Sequence, residues 1–227
     1  MMAYKIKIEI IGSDPLIWRI VIMPAGATFN RLHDVIQNVT NFKSGYPYEP
    51  SHLFIFDLRK ENLCITNDGD AYEENNFYKA QYKNVKIDEN NDSFGTIAYN
   101  LKTIVRQPQS IKIDEYLEKY GHLNYRYDFG DDWRILIKLE EIIDNYYYGY
   151  PTLIDGAEAA PPEDVGGLSG YYEFLKIYHD EKHFDHEDVK AWAEEQRYRE
   201  YDEDRINASL KSIKYKKTEW DKLDKLI

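Results

Sequence analysis

The chain predicts an α+β fold on a mainly antiparallel sheet, and three observations carry that prediction. Residues 4–11 alternate, with Tyr4, Ile6, Ile8 and Ile10 on one side and Lys5, Lys7 and Glu9 on the other. That period of two marks a half-buried strand. A second apolar run, 16–22, follows the turn cluster Gly12-Ser13-Asp14-Pro15 and completes a hairpin. The period then lengthens: Phe29, Leu32, Val35, Ile36 and Val39 lie at helical spacing behind Thr28, a good N-cap residue. Strand, hairpin, strand, helix is a β-grasp-like start, with the helix crossing one face of the sheet.

The remaining elements follow in order. Residues 52–58 read as a third strand. Residues 59–95 are rich in Asn, Asp, Glu and Tyr, with turns at Asp68-Gly69 and Asn90-Asn91-Asp92. They read as a partly exposed excursion with one or two short strands. Residues 111–120 form a short helix closed by Gly121. Two strands, 124–129 and 133–142, join at Gly130-Asp131-Asp132 as a second hairpin. Residues 145–170 read as loop, set by Pro151, Pro161, Pro162 and the glycines among them. Three helices follow, at 170–179, 186–199 and 203–212. Residues 1–212 are taken as one domain and 213–227 as a helical extension. The extension's Trp220, Leu223, Leu226 and Ile227 are expected to pack on the body or on a second copy.

Composition narrows the function. The 227 residues are 43 % hydrophobic and 15 % aromatic, enough for a real core. With 41 acidic and 29 basic side chains the net charge is −12. That disfavours nucleic acid and anionic membranes as partners. Cys64 is the single cysteine, so neither an intrachain disulfide nor a cysteine zinc site is open to one chain. The N-terminus enters the strand pattern without an apolar leader, and no run approaches the ~20 apolar residues a membrane helix needs. The expected compartment is the cytoplasm.

Five motifs in order carry a family resemblance. They are Pro15-Leu16-Ile17-Trp18-Arg19, Leu32-His33-Asp34-Val35-Ile36-Gln37, His52-Leu53-Phe54-Ile55-Phe56, Tyr127-Asp128-Phe129-Gly130-Asp131-Asp132-Trp133 and Pro161-Pro162-Glu163-Asp164-Val165-Gly166-Gly167. Over about residues 4–210 the chain resembles the plasmid pRiA4b ORF-3-like family, whose members are also labelled TnpR-type passenger proteins of an insertion element. The resemblance implies an α+β domain of unassigned biochemistry in a plasmid or transposon setting. The chain departs from the family pattern at Phe42-Lys43-Ser44-Gly45-Tyr46, where a Trp-bearing stretch is usual, and beyond about residue 212.

The recombinase label finds no chemistry. A tyrosine recombinase needs a His-x-x-Arg element, which the chain lacks, and a serine resolvase needs arginines around its Ser, whereas Ser13 has only Arg19 and Arg31 nearby. An acidic metal site is more concrete. Asp128, Asp131, Asp132, Glu163 and Asp164 could gather near His52, as hard cations require. The competing reading is structural, with the aspartates capping adjacent amides, and Glu163 and Asp164 capping the following helix and pairing with Arg19 or Arg134. His179, His183 and His186 have helical spacing that could bind zinc, but Asp185 looks like an N-cap that breaks the helix between His183 and His186. Trp18, Phe54, Phe56, Tyr127, Phe129 and Trp133 interleave with Arg19, Arg126 and Arg134. That could stack bases, although the acidic charge favours a packed sheet face.

The first reading is therefore a non-catalytic interaction module without a cofactor, a monomer or homodimer. It would dock a protein or peptide between the 127–133 turn and the 161–170 loop. Its binding residues would be Arg19, His52, Asp128, Asp131, Asp132, Trp133, Glu163, Asp164, Gly166, Gly167 and Tyr171. The alternative is a metal-dependent hydrolase or nuclease using the acidic cluster. Geometry separates them: a metal site needs at least three of the five carboxylates within about 5 Å of one point.

Overall fold

A computed structural model describes residues 1–87 and 92–218. The N-terminal hairpin is present as β1 (Ala3–Ile10) and β2 (Trp18–Pro24), antiparallel with Ile6 opposite Val21. Helix α1 (Phe29–Val39) starts where expected, and the Thr28 hydroxyl accepts from the Arg31 amide. Its Phe29, Leu32, Val35, Ile36 and Val39 are fully buried and share one core with Tyr4, Ile6 and Ile8 of β1. Each such side chain contributes about 2 kcal/mol of apolar burial.

The chain then runs β3 (Phe54–Leu58), β4 (Leu63–Thr66), α2 (Gly69–Tyr82), α3 (Thr96–Lys102), β5 (Ile104–Arg106) and α4 (Asp114–Tyr120). It continues through β6 (His122–Tyr127), β7 (Trp133–Ile143), β8 (Thr152–Ala157), α5 (Gly167–Tyr178), α6 (His186–Glu195) and α7 (Glu203–Leu210). The strands form one sheet in the order β5-β4-β3-β6-β7-β1-β2-β8. All neighbours are antiparallel except β4 and β5. The fold is α+β, with the two expected hairpins at its centre.

Two stretches differ from expectation. The excursion at 59–95 contains the 14-residue helix α2, and the Asp68-Gly69 turn is its N-cap, with the Asp68 carboxylate accepting from the Ala71 amide. The helix buries only Asn75 among its residues, so it lacks the apolar stripe that reveals a helix. The loop at 145–170 contains the edge strand β8, which pairs with β2. Its sequence Thr-Leu-Ile-Asp-Gly-Ala has one buried residue, Leu153, so alternation is not visible. Among the described residues no helix is long and apolar enough to cross a membrane.

The core continues through Leu210 and Ile213, and Tyr215 donates to the Pro24 carbonyl at 2.5 Å. The start of the expected extension therefore lies against the body. Trp220, Leu223, Leu226 and Ile227, and the Asn90-Asn91 turn, fall outside the described residues.

Candidate functional site

The β3–β6 pairing builds the site. Phe54 stands opposite Tyr127, so the residues before β3 face those after β6, and the Asp128 amide donates to the Leu53 carbonyl at 3.0 Å. That register puts His52 beside Asp128. The His52 backbone is fixed from both sides: its amide donates to the Ser44 hydroxyl at 2.9 Å, and its carbonyl accepts from Asn67 at 2.9 Å. The ring stands edge-on to Tyr127.

The loop before α5 closes over this pair. A bridge between Asn41 and Pro162 brings Glu163 in. Glu163 is only 4 % exposed. Its Oε1 accepts from the Lys43 amide at 2.5 Å and the Tyr127 hydroxyl at 2.6 Å. Its Oε2 is buried with no hydrogen-bond partner and lies 3.9 Å from His52 Nε2. Asp164 Oδ1 lies 3.9 Å from the same nitrogen, on the open side. Asp128 Oδ1 lies 3.6 Å from His52 Nδ1. His52, Asp128 and Asp164 each offer a ligand atom, all within 4.8 Å of one another. None of the three carboxylate contacts to His52 is short enough to be a hydrogen bond.

Backbone geometry is special at the same places. Asp128 and Asp164 have φ of 51° and 54°, in the left-handed region that Asp tolerates better than most residues. Asp128 also accepts from the Gly130 amide, an Asx turn that holds the hairpin tip. Burial pushes the Glu163 carboxyl above its usual range, against the pull of the Tyr127 and Lys43 bonds. Burial and the Glu163 charge drive the Tyr127 hydroxyl far up, so its proton stays in place and faces Glu163.

The other acids of the expected cluster are spent. Asp132 bridges Arg126 and Arg134, the latter through bonds of 2.7 and 3.0 Å. Asp131 accepts from the Gly166 amide at 3.2 Å. So three of the five carboxylates, Asp128, Glu163 and Asp164, surround one imidazole, and two serve the turn. The expected pairing of Glu163 or Asp164 with Arg19 or Arg134 is not found. Arg19 is buried and donates to the carbonyls of Trp18, Val39, Ala157 and Glu158, a clamp joining β2, α1 and β8.

Trp133 and Tyr171 are packed in the core, and the Tyr171 hydroxyl donates to the Ala159 carbonyl. Gly166 and Gly167 have φ of 87° and 67°, and a Cβ at Gly167 would sit 2.9 Å from the Asp131 carbonyl oxygen. They set the entry of α5 against the β6–β7 turn. The histidine run is not one helix: α5 ends at Tyr178, before His179, and α6 begins at His186, whose ring meets the Ile177 carbonyl; Asp185 holds the N-cap position without a side-chain cap bond. Of the aromatic–arginine set, Phe54, Phe56, Tyr127 and Trp133 are core, and Phe129 is exposed beneath Arg126.

Sequence reasoning missed Lys43, Ser44 and Asn67, which position Glu163 and His52. The signal was the unusual Phe42–Tyr46 stretch, where the chain departs from the family pattern.

Comparisons with known proteins agree with this architecture. An uncharacterized protein, y4hQ, of Sinorhizobium fredii (strain NBRC 101917 / NGR234) is 26 % identical over 189 residues, 83 % of this chain and 79 % of that protein. The crystal structure of a protein of unknown function, MM3350 from Methanosarcina mazei Go1, superposes with a TM-score of 0.63 at 28 % identity, covering 89 % of this chain and 96 % of that one. The family described as plasmid pRiA4b ORF-3-like protein matches residues 2–210, spanning every strand and helix of the fold through α7, and the chain belongs to that family.

Proposed function

We propose that this protein binds a divalent cation at His52, Glu163 and Asp164, and that the bound cation activates water for hydrolysis. The observation that carries the reading is the orphaned Glu163 Oε2, buried and aimed at His52 Nε2. A buried carboxylate oxygen without a donor is costly, and a cation satisfies it. Asp128, on the far ring nitrogen, takes the position of the carboxylate that orients a metal-bound imidazole. Mixed nitrogen and oxygen ligands suit Zn²⁺ or Mn²⁺. Nitrogen and oxygen ligands of one tetrahedral Zn²⁺ stand roughly 3.4 Å apart, so both 3.9 Å separations from His52 Nε2 close slightly on binding, and the Glu163 carboxylate, which lies outside the 4.8 Å cluster of His52, Asp128 and Asp164, moves toward Asp164. Asp164 lies on the exposed rim, which leaves an open coordination position for water. The test is hydrolysis of a chromogenic phosphodiester with Mn²⁺ or Zn²⁺ added. Turnover that disappears in Glu163→Gln and His52→Ala supports the reading. Turnover equal to that of the metal in buffer overturns the hydrolytic part.

A second reading has its own observation. Phe94 and Phe129, 95 % and 40 % exposed, line one cleft beside the β6–β7 turn. Two exposed rings across a groove suit a protein or peptide partner, and the chain would then be an interaction module. Pull-down with Phe94→Ser and Phe129→Ser tests it, and partners retained by both variants count against it.

A further inference from the structure

We infer a second site, a pocket for a phosphate-bearing anion, on the side of the molecule where the α6–α7 connection meets the end of α1. A cavity of about 230 Å³ is lined by Lys43, Arg197, Arg199 and Arg205, with Tyr48 and Asn38 on its wall. Four cations around one cavity are unexpected in a chain of net charge −12. Their neighbours in sequence are acidic: Glu194, Glu195, Glu200, Asp202, Glu203 and Asp204. Yet among the described residues none of the four cations forms an ion pair. Elsewhere Arg31, Arg59, Arg126 and Arg134 each take a carboxylate.

The side-chain hydrogen bonds of these cations go to neutral groups: Lys43 Nζ donates to Gln196 Oε1 at 3.1 Å, and Arg197 Nη1 donates to the Tyr48 hydroxyl at 3.3 Å. The remaining acidic influences are Glu163 and Asp164 on Lys43, and Asp202 on Arg205. Burial and the charge of Arg199 hold the Arg205 guanidinium below its usual range, and Lys43 is lowered by burial, with Arg197 adding to it.

Arg197 closes α6 with a φ of 54°, the left-handed cap position, and this turn carries its side chain to the pocket wall. Guanidinium forks match phosphate oxygens in pairs, which selects phosphate over a simple halide. Lys43 also ties the pocket to the His52 cluster, because its amide holds Glu163. The anion pocket nevertheless rests on its own cations and stands without the metal reading.

Calorimetric titration of the full chain with pyrophosphate, in EDTA so that no cation contributes, tests the pocket. A parallel arm uses a short single-stranded oligonucleotide. Saturable pyrophosphate binding that weakens about tenfold to a hundredfold in Arg199→Gln and in Arg205→Gln, but not in Arg59→Gln outside the pocket, is expected. Oligonucleotide binding with the same variant dependence and higher affinity would also support the pocket and identify the nucleic-acid backbone as the phosphate source. Because the cations repel one another, the ligand-free Arg199→Gln and Arg205→Gln proteins should melt at or above the wild-type temperature. Failure of both ligands to saturate, equal binding by all three variants, or lost binding accompanied by a lower melting temperature overturns it.

Discussion

His33 and His52 both touch Ser44, and they could hardly be used more differently. His33 is buried, stacked at 4.0 Å on Phe54, with Nδ1 against the Tyr125 hydroxyl and Nε2 against the Ser44 carbonyl, both at 2.8 Å. Both ring nitrogens are satisfied, and burial pushes the imidazole down to about 4. His52 has its backbone pinned by the Ser44 hydroxyl, but its ring nitrogens face three carboxylates at 3.6–3.9 Å without bonding any. One histidine completes its hydrogen bonds inside the fold. The other leaves a gap that the fold itself does not fill, beside a buried oxygen with no donor. Asp114 Oδ2 and Trp133 Nε1 are also buried without a partner, so an incomplete polar group points to a ligand only where other ligand atoms gather around it, as they do at His52.

The contrast predicts opposite mutant behaviour. His33→Ala should cost about 3 kcal/mol in urea unfolding, because it removes a stacked ring and strands the Tyr125 hydroxyl and Ser44 carbonyl. Acid should act through the same residue. The free imidazole takes its proton near 6.5, the folded one only near about 4. Stability from His33 is therefore complete above pH 6.5 and falls as the pH drops toward 4, by up to about 3 kcal/mol. Unfolding free energies measured across that range should lose this slope in a His33→Leu protein. A slope that persists unchanged would assign it to other groups.

His52→Ala should cost less than about 1 kcal/mol, since the ring makes no hydrogen bond, and its effect should appear in cation affinity instead. Asp132→Asn should change least. Its pairs with Arg126 and Arg134 are solvent-exposed and are worth less than about 1 kcal/mol. Cation binding should survive that substitution, which would separate the spent acids of the turn from those around His52.

The hairpins, α1 and the β6–β7 turn were legible because period, caps and turn residues agree there. Helix α2 was hidden because its buried contacts are polar: Asn75 donates to Asn100 and to the Thr103 carbonyl rather than packing an apolar stripe. Strand β8 was hidden because an edge strand with Leu153 alone buried shows no alternation. The site was half legible. The motifs supplied Asp128, Glu163, Asp164 and His52. They could not tell these from Asp131 and Asp132, because the choice depends on which way each carboxylate leaves a left-handed turn. The arginine pocket was invisible because Arg197, Arg199 and Arg205 are scattered through an acidic stretch and meet Lys43 only in the folded chain.

The central claim is that the orphaned Glu163 oxygen and the unbonded His52 nitrogen await one cation. Titration of the metal-free protein with Zn²⁺ and Mn²⁺, followed by calorimetry, tests it most directly. The account predicts one site per chain, weakened about a hundredfold in Glu163→Gln and Asp164→Asn and unchanged in Asp132→Asn. The Glu163→Gln protein, which keeps the shape of the carboxylate, should melt at or above the wild-type temperature in EDTA and gain nothing from added metal. Saturable binding that persists in Glu163→Gln, or no saturable binding in the wild type, would contradict it.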